Sequence, residues 1–487
     1  MIRAALLPLL CWFVVGCGPP QSSQPDPTAP TPAKHEPAPT AGGESPLDKK
    51  KQQKTIEEQI AEAIARVPEI QKEVAELRGL EFKEPVPAEY QPADDFRAYL
   101  ARDVEKELPP EKNKALSRAA YHLGLVKQPL DVAQTMLDAF ATQAAAYYDP
   151  LVNKFFIVSP FGGPGGLAMI TAHELVHGVQ HHNFDLLAYY GQEPKQELTE
   201  DELNARRFVV EGEATLIMID YMTGKNLIEG KNLQMLGAAI SMMAAQDTHA
   251  QIREQKQMAG TVADPKIREQ MEAMDQIPLY IMVPLIDSYT RGAVQAFEAY
   301  KSGGWDAVNA LYKNPPDSTE QVLHPATKLV GKRDYPVAIT PPKPSELKGY
   351  AKIHSEVMGE LSWRAYFMTW SVDEPEKRAE GWDGDRVEVW TKGEATAAQI
   401  ATTWDSKADA ADFAAGYAAS VKKRFPRAES EVKGAVTTHA RPDGTVVMIE
   451  HRGVDVFIVD GADSKTAAKL IKRLRKSKKK RHKNDKG

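Results

Sequence analysis

Residues His173-Glu174-Leu175-Val176-His177 constrain this chain more than any other stretch. Two histidines four apart on a helix lie on one face, a turn apart. Their imidazoles can bind a single Zn²⁺, and a glutamate between them can act on a metal-bound water. The surroundings read as helix: Gly165 and Gly166 precede, Ala168, Met169 and Ile170 lead in, and Val176 and Val179 continue an apolar side. His173 and Glu174 interrupt that apolar run, which is costly unless the polar groups find partners. A catalytic zinc takes a third protein ligand and keeps one position open for water. Val210-Glu211-Gly212-Glu213-Ala214, inside a second helical run from Asp201 to Met222, offers the carboxylate.

HExxH followed by a downstream helix carrying Glu-Gly-x-Ala resembles the gluzincin branch of zinc metallopeptidases, to which thermolysin and the membrane-alanyl-type aminopeptidases belong. The resemblance spans residues 145–222. In those aminopeptidases the third ligand is the first glutamate of Asn-Glu-Gly-x-Ala, which maps onto Glu211, with Val210 replacing the asparagine. The resemblance therefore implies Zn²⁺ held by His173, His177 and Glu211, Glu174 as general base, and a peptide or protein substrate. The exopeptidase motif Gly-x-Met-x-Asn is not evident, so nothing points to N-terminal trimming. Glu213 is expected either beside a histidine or in solvent, and His181 and His182 at the solvated end of the metal helix. Gluzincins also place a His or Tyr downstream to donate to the developing oxyanion. By role His324 is the expected catalytic partner, with Tyr280 and Tyr289 as alternatives.

Tyr147-Tyr148-Asp149-Pro150 runs through Asn153-Lys154 into Phe155–Val158 and reads as two short strands around a turn. In zincin folds a strand before the metal helix borders the cleft and can pair with an extended substrate. The linker Phe161–Gly166 lacks the Gly-Lys-Ser/Thr of a phosphate-binding loop.

At the N-terminus, Arg3 precedes an apolar run, Ala4–Val15, too short to span a bilayer comfortably and shaped like a signal sequence. Val14-Val15-Gly16-Cys17 resembles the bacterial lipobox. That implies residues 1–17 as a lipoprotein signal, lipidation of Cys17, and a lipid-anchored place in the cell envelope; Gly18 favours the outer membrane where the cell has one. Residues 18–47, rich in Pro, Ser, Thr and Ala, cannot build a core and are expected as a tether. Cys11 and Cys17 are the only cysteines, so the mature chain would have no disulfide and depends on its core. With 487 residues, 42% of them hydrophobic, one or two substantial cores are within reach. A net charge of −6 gives no reason to expect nucleic-acid binding.

The expected fold class is α+β. Residues 48–343 read as a mainly helical zincin-like domain with a small edge sheet. Its helices are expected at 49–80 (broken at Pro68), 94–108, 111–123, 130–147, 230–257, 278–300 and 304–311. Ser318 and Gln321 have capping-box spacing. Residues 354–475 read as a small α+β domain without a catalytic constellation. Helices are expected there at 360–370, at 408–425 (opened by Asp405 or Ser406) and at 464–474. Strands are expected at 386–390 and 399–404, with a hairpin of 445–450 and 454–459. Trp363, Trp370, Trp382, Trp390 and Trp404 are expected in its core. Residues 476–487 are a basic tail, either solvated or touching anionic headgroups or other envelope polyanions. The leading expectation is an envelope-anchored zinc metallopeptidase. The alternatives are an inactive zincin-fold scaffold, with binding carried by the C-terminal domain, and a metal-dependent amidase acting on cell-wall peptides.

Overall fold

Thr55 starts the first helix with a reciprocal cap: its hydroxyl accepts from Glu58 N at 3.2 Å, and the Glu58 carboxylate accepts from Thr55 N at 2.8 Å. The computed structural model describes residues 55–159, 163–192, 194–224, 227–228, 232–245 and 277–484. The signal, Cys17, the tether, Phe161 and Gly162 of the expected linker and residues 246–257 of one expected helix lie outside the described residues, and Gly163–Gly166 of that linker are the first turn of a helix. Helix α1 (Ile56–Arg78) runs through Pro68 instead of breaking there. An internal proline costs about 3 kcal/mol. Here it is offset by the buried stripe Ile60, Val67, Ile70, Val74 and Leu77, which packs in one core with the metal-motif helix.

Three helices follow, α2 (Ala93–Glu107), α3 (Pro110–Leu123) and α4 (Val132–Gln143). The last stops short of the expected 147 because Ala146–Asp149 is taken up as a strand. That strand, β2, pairs antiparallel with β3 (Lys154–Ile157), and β1 (Ala88–Tyr90) lies parallel on the other side of β3. Then come α5 (Gly163–Phe184), the short α6 (Leu186–Tyr189) and α7 (Glu200–Met222). After these lie α8 (Leu233–Ala244), α9 (Leu279–Lys313) and α10 (Thr319–Leu323). Gly303 and Gly304 interrupt α9 with non-helical backbone. Thr199 opens α7 with another reciprocal cap, to Glu202. Gly212 on α7 and Gly292 on α9 meet backbone to backbone: a Cβ on Gly212 would sit 2.1 Å from Gly292 O. The glycine of the Glu-Gly-x-Ala motif is thus a packing requirement, because no side chain fits between these two helices.

The C-terminal region begins with β4 (Ala338–Thr340) and β5 (Ala351–Glu356), followed by α11 (Gly359–Thr369) and α12 (Pro375–Ala379). The hairpin β6 (Trp382–Lys392) and β7 (Ala395–Trp404) leads to α13 (Lys407–Arg424). Ser406, not Asp405, caps α13, accepting from Ala408 N and Asp409 N. Strands β8 (Glu429–Lys433), β9 (Val436–Ala440), β10 (Val446–Arg452) and β11 (Asp455–Ala462) precede α14 (Ser464–Leu474) and β12 (Lys478–Lys480). A seven-stranded antiparallel sheet runs β5-β6-β7-β11-β10-β9-β8. The chain is thus a mixed helix-and-sheet protein. Of the tryptophans expected in its core, Trp363, Trp382, Trp390 and Trp404 are buried and Trp370 is half-buried.

Two boundaries drawn on the sequence look different in space. One core joins Phe96, Leu100, Leu123 and Phe140 of α2–α4 to Trp363, Val387, Phe413 and Ile458 of the C-terminal region. A division near Lys343 therefore cuts through shared packing. Residues Lys478–Lys480 of the expected tail are not free: they pair antiparallel with β4, Lys479 opposite Ile339.

Candidate metal centre

Helix α5 is apolar on several sides because α1, α7 and β2 all pack against it. Four of its polar side chains, His173, Glu174, His177 and Gln180, are drawn fully inside. Buried polar groups need partners, and these find them in one another, in α7 and, for Glu174, in β2. Glu211 Oε2 lies 3.2 Å from His173 Nε2 and 3.5 Å from His177 Nε2. The two imidazole centroids are 4.8 Å apart. Both rings thus turn their Nε2 atoms toward one carboxylate oxygen.

Gln180 fixes the tautomer of His177. Its amide nitrogen donates to Val210 O at 3.0 Å, which turns its Oε1 toward His177 Nδ1 at 2.8 Å. A carbonyl oxygen only accepts, so Nδ1 carries the proton and, in the neutral ring, Nε2 keeps its lone pair. Histidines of metal sites are oriented by polar support of this kind. Sequence reasoning missed Gln180, although its place three residues after His177 puts it on the same face.

Glu174 is held by one oxygen. Tyr148 N, on β2, donates to its Oε2 at 3.0 Å, and its Oε1 has no hydrogen-bond partner among the described residues. His177 Nε2 and His173 Nδ1 are likewise without partners there. Burial, then the charge of Glu211, pushes the Glu174 carboxyl well above its usual range. Burial lowers His173 to about 4 against the pull of Glu211, so it is neutral at pH 7. Burial also acts to raise Glu211, but its imidazole partners outweigh that and hold it at about 2. Two imidazoles around a buried carboxylate, with no Lys or Arg paired to it among the described residues, make a donor set of two nitrogens and one oxygen. It fits Zn²⁺ by ligand type.

The neighbouring glutamate shows the contrast. Glu213 is fully buried, pairs with the equally buried Arg78, and accepts from Tyr312 Oη at 2.6 Å. Arg78 also lies 4.4 Å from the Trp305 ring centroid and donates to Asn309. The expectation of Glu213 beside a histidine or in solvent is thus corrected: it is paired with Arg78, whereas Glu211 has no Lys or Arg partner among the described residues. A second acidic cluster, Glu320, Asp334 and Asp405, is close enough to hold an ion. Lys328 Nζ already lies among them, 3.2 Å from Glu320 and 2.6 Å from Asp334, and bonded to Asp405.

The expected oxyanion donors separate in space. The Tyr289 ring centroid lies 5.6 Å from that of His173, within the buried core around α5. The Gly212–Gly292 crossing, one turn further along α9, brings it there. Tyr280 Oη instead donates to Glu200 at 2.8 Å. His324 Nε2 lies 2.8 Å and 3.1 Å from the two Glu360 oxygens. Burial lowers the His324 pKa, but Glu360 reverses this and leaves it raised. The described side-chain hydrogen bonds of His324 go to α11 and not to the paired histidines. Ser318 Oγ accepts from Gln321 N at 3.3 Å, but Gln321 returns its side chain to Asp317 N, so the expected box is one-sided. His181 and His182 are not a solvated end. His181 Nδ1 accepts from Leu186 N, His182 Nδ1 accepts from Lys83 N, and His182 Nε2 meets Asn153 Oδ1 at 2.9 Å.

No curated protein and no solved structure matches this chain. One family does, described as a domain of unknown function, DUF8575, over residues 347–471. The match covers all seven strands of the large sheet and leaves the paired histidines outside it.

Proposed function

We propose that this chain is an envelope-anchored zinc metallopeptidase of gluzincin type, zincin-like around α5 and α7. The observation that carries the reading is the convergence of His173 Nε2 and His177 Nε2 on a Glu211 carboxylate that no Lys or Arg among the described residues pairs. His173, His177 and Glu211 would hold the metal, which supplies polarisation of the scissile carbonyl and a more acidic water. Glu174 would take the water's proton on its free Oε1 and pass it to the leaving amine, with Oε2 anchored by Tyr148 N. Tyr289, beside His173, is the donor for the developing oxyanion in this scheme. Substrates are peptides or proteins.

Elemental analysis of the purified protein tests the centre. About one zinc per chain is expected, lost in Glu211→Ala and kept in His324→Ala. Full zinc in a folded Glu211→Ala protein would remove Glu211 from the ligand set. The anchor has its own test. Cys17→Ser should release the protein from the membrane fraction, whereas unchanged fractionation with no acyl label on the wild type counts against lipidation.

One observation favours a second reading, a zincin-fold scaffold in which the metal is structural. His173, Glu174 and His177 are fully buried. Zinc at full occupancy with no cleavage across a broad peptide library would select it.

A further inference from the structure

Where α3 meets the seven-stranded sheet, the two enclose a cleft of about 500 Å³, within the size range of small-ligand sites. One wall is the end of α3 and the turn after it. The other is built by the β6–β7 turn, the end of α13 and the β9–β10 turn. Cations outnumber carboxylates around it. Four cations line it, Arg118, Lys127, Arg424 and Arg441, and the carboxylates on its walls are Glu394 and Asp443, both on exposed turns.

Two of the cations are fixed in advance. Arg424 and Arg441 come from separate elements and approach the same buried Asp460 carboxylate, at 3.2 Å and 3.0 Å. Their guanidinium carbons also lie 4.9 Å and 4.7 Å from the centroid of the same Phe425 ring. Arg424 donates in addition to His122 O at 2.7 Å. Gly124 makes that seat possible: its φ is 76°, and a Cβ there would sit 2.6 Å from Arg424 Nε. One buried carboxylate thus serves two guanidinium groups, and only the exposed Asp443 adds a second, longer contact to Arg441. Asp443 is 3.9 Å from Arg441 Nε and is bonded instead by Thr445 N and Oγ1.

The other two cations have no carboxylate partner among the described residues. Arg118 is oriented by neutral groups, Thr396 Oγ1 at 2.9 Å and Ala395 O at 3.1 Å. Lys127 Nζ stands 6.0 Å from the Trp370 centroid, exposed at the rim. Trp370, its indole N–H donated to Gly124 O at 2.7 Å, and the exposed Tyr121 add flat apolar surface on the same side. Ion pairs that only fasten a helix to a sheet would balance their charges and bury their rings. This cleft leaves Arg118 and Lys127 without a carboxylate among the described residues, Tyr121 exposed and Trp370 half-buried.

We propose that the cleft binds a compact organic anion, a carboxylate or phosphate carried on a flat apolar body, with Arg441 and Lys127 meeting the charge and Trp370 and Tyr121 the body. The site is independent of the metal centre, and so is its test. Purified full-length protein is titrated calorimetrically with benzoate, phenyl phosphate, inorganic phosphate and neutral benzamide. Benzoate or phenyl phosphate should bind with a Kd below about 1 mM, and the better of the two identifies the anionic group. Benzamide should bind at least about tenfold more weakly, since a charge-assisted hydrogen bond is worth that factor or more. Lys127→Ala and Arg441→Gln should each weaken the preferred anion by about tenfold on the same grounds. Equal binding of benzamide, no binding of either organic anion, or inorganic phosphate binding as well as phenyl phosphate would each overturn the proposal. Unchanged affinity in Lys127→Ala would also overturn it, and because that side chain is exposed the variant is expected to fold even if Arg441→Gln does not.

Discussion

Glu174→Gln should keep its zinc and its fold and lose peptide hydrolysis by about 10²–10⁴-fold, the usual contribution of a positioned general base. The substitution is nearly isosteric. The glutamine carbonyl can still accept from Tyr148 N, so the tie between α5 and β2 survives. What disappears is a group that takes and returns a proton. The same change should not destabilise the protein. Glu174 is buried close to the charge of Glu211, and both effects penalise its ionised form; a neutral amide removes that penalty. Turnover of a peptide substrate, metal content and a thermal melt on one preparation decide the matter. Activity within tenfold of wild type would mean that another group acts as the base.

The largest stability effect is expected at Arg78. Its side chain and that of Glu213 are fully buried and paired, tying the end of α1 to the middle of α7. Removing one partner of a buried pair costs about 3–5 kcal/mol, mainly because the other charge is left without compensation. In Arg78→Ala, Glu213 keeps only the Tyr312 hydroxyl, and Trp305 loses the cation over its ring. Arg78→Met with Glu213→Gln should recover much of the loss, since no charge then remains buried. Urea unfolding of the two single variants and the double variant measures the coupling. A loss under about 1 kcal/mol for Arg78→Ala, the range of surface pairs, would mean that the pair is solvated in solution.

What the sequence made legible was mostly local. The spacing of His173 and His177, the helix at Ser464–Leu474, the hairpin around Gly453 and the glycine break in α9 depend on neighbours a few residues apart. What it hid depends on partners brought together by folding. Nothing near Glu213 announces Arg78, and nothing near His324 announces Glu360. Strand β8, Glu-Ser-Glu-Val-Lys, is exposed along its whole length and has no apolar alternation to betray it. Strand β12 is three lysines, a composition that reads as tail until Ala338–Thr340 lies beside it. Pro68 misleads in the opposite sense: the local penalty is real, but burial of the helix face outweighs it.

The shared core sets a timetable for synthesis. Helices α2–α4 leave the ribosome early, yet the surface that covers them includes Trp363, Phe413 and Ile458. β4 likewise waits for β12, close to the end of the chain. At roughly 5–20 residues per second of elongation, the early helices spend tens of seconds with an unfinished apolar face. Contacts so distant along the chain also slow the final closure, because the entropy of ordering the intervening segment is lost before the contacts form. Through that interval the nascent chain is a substrate for holding chaperones, and its vulnerability to aggregation is set by how long its two halves remain apart.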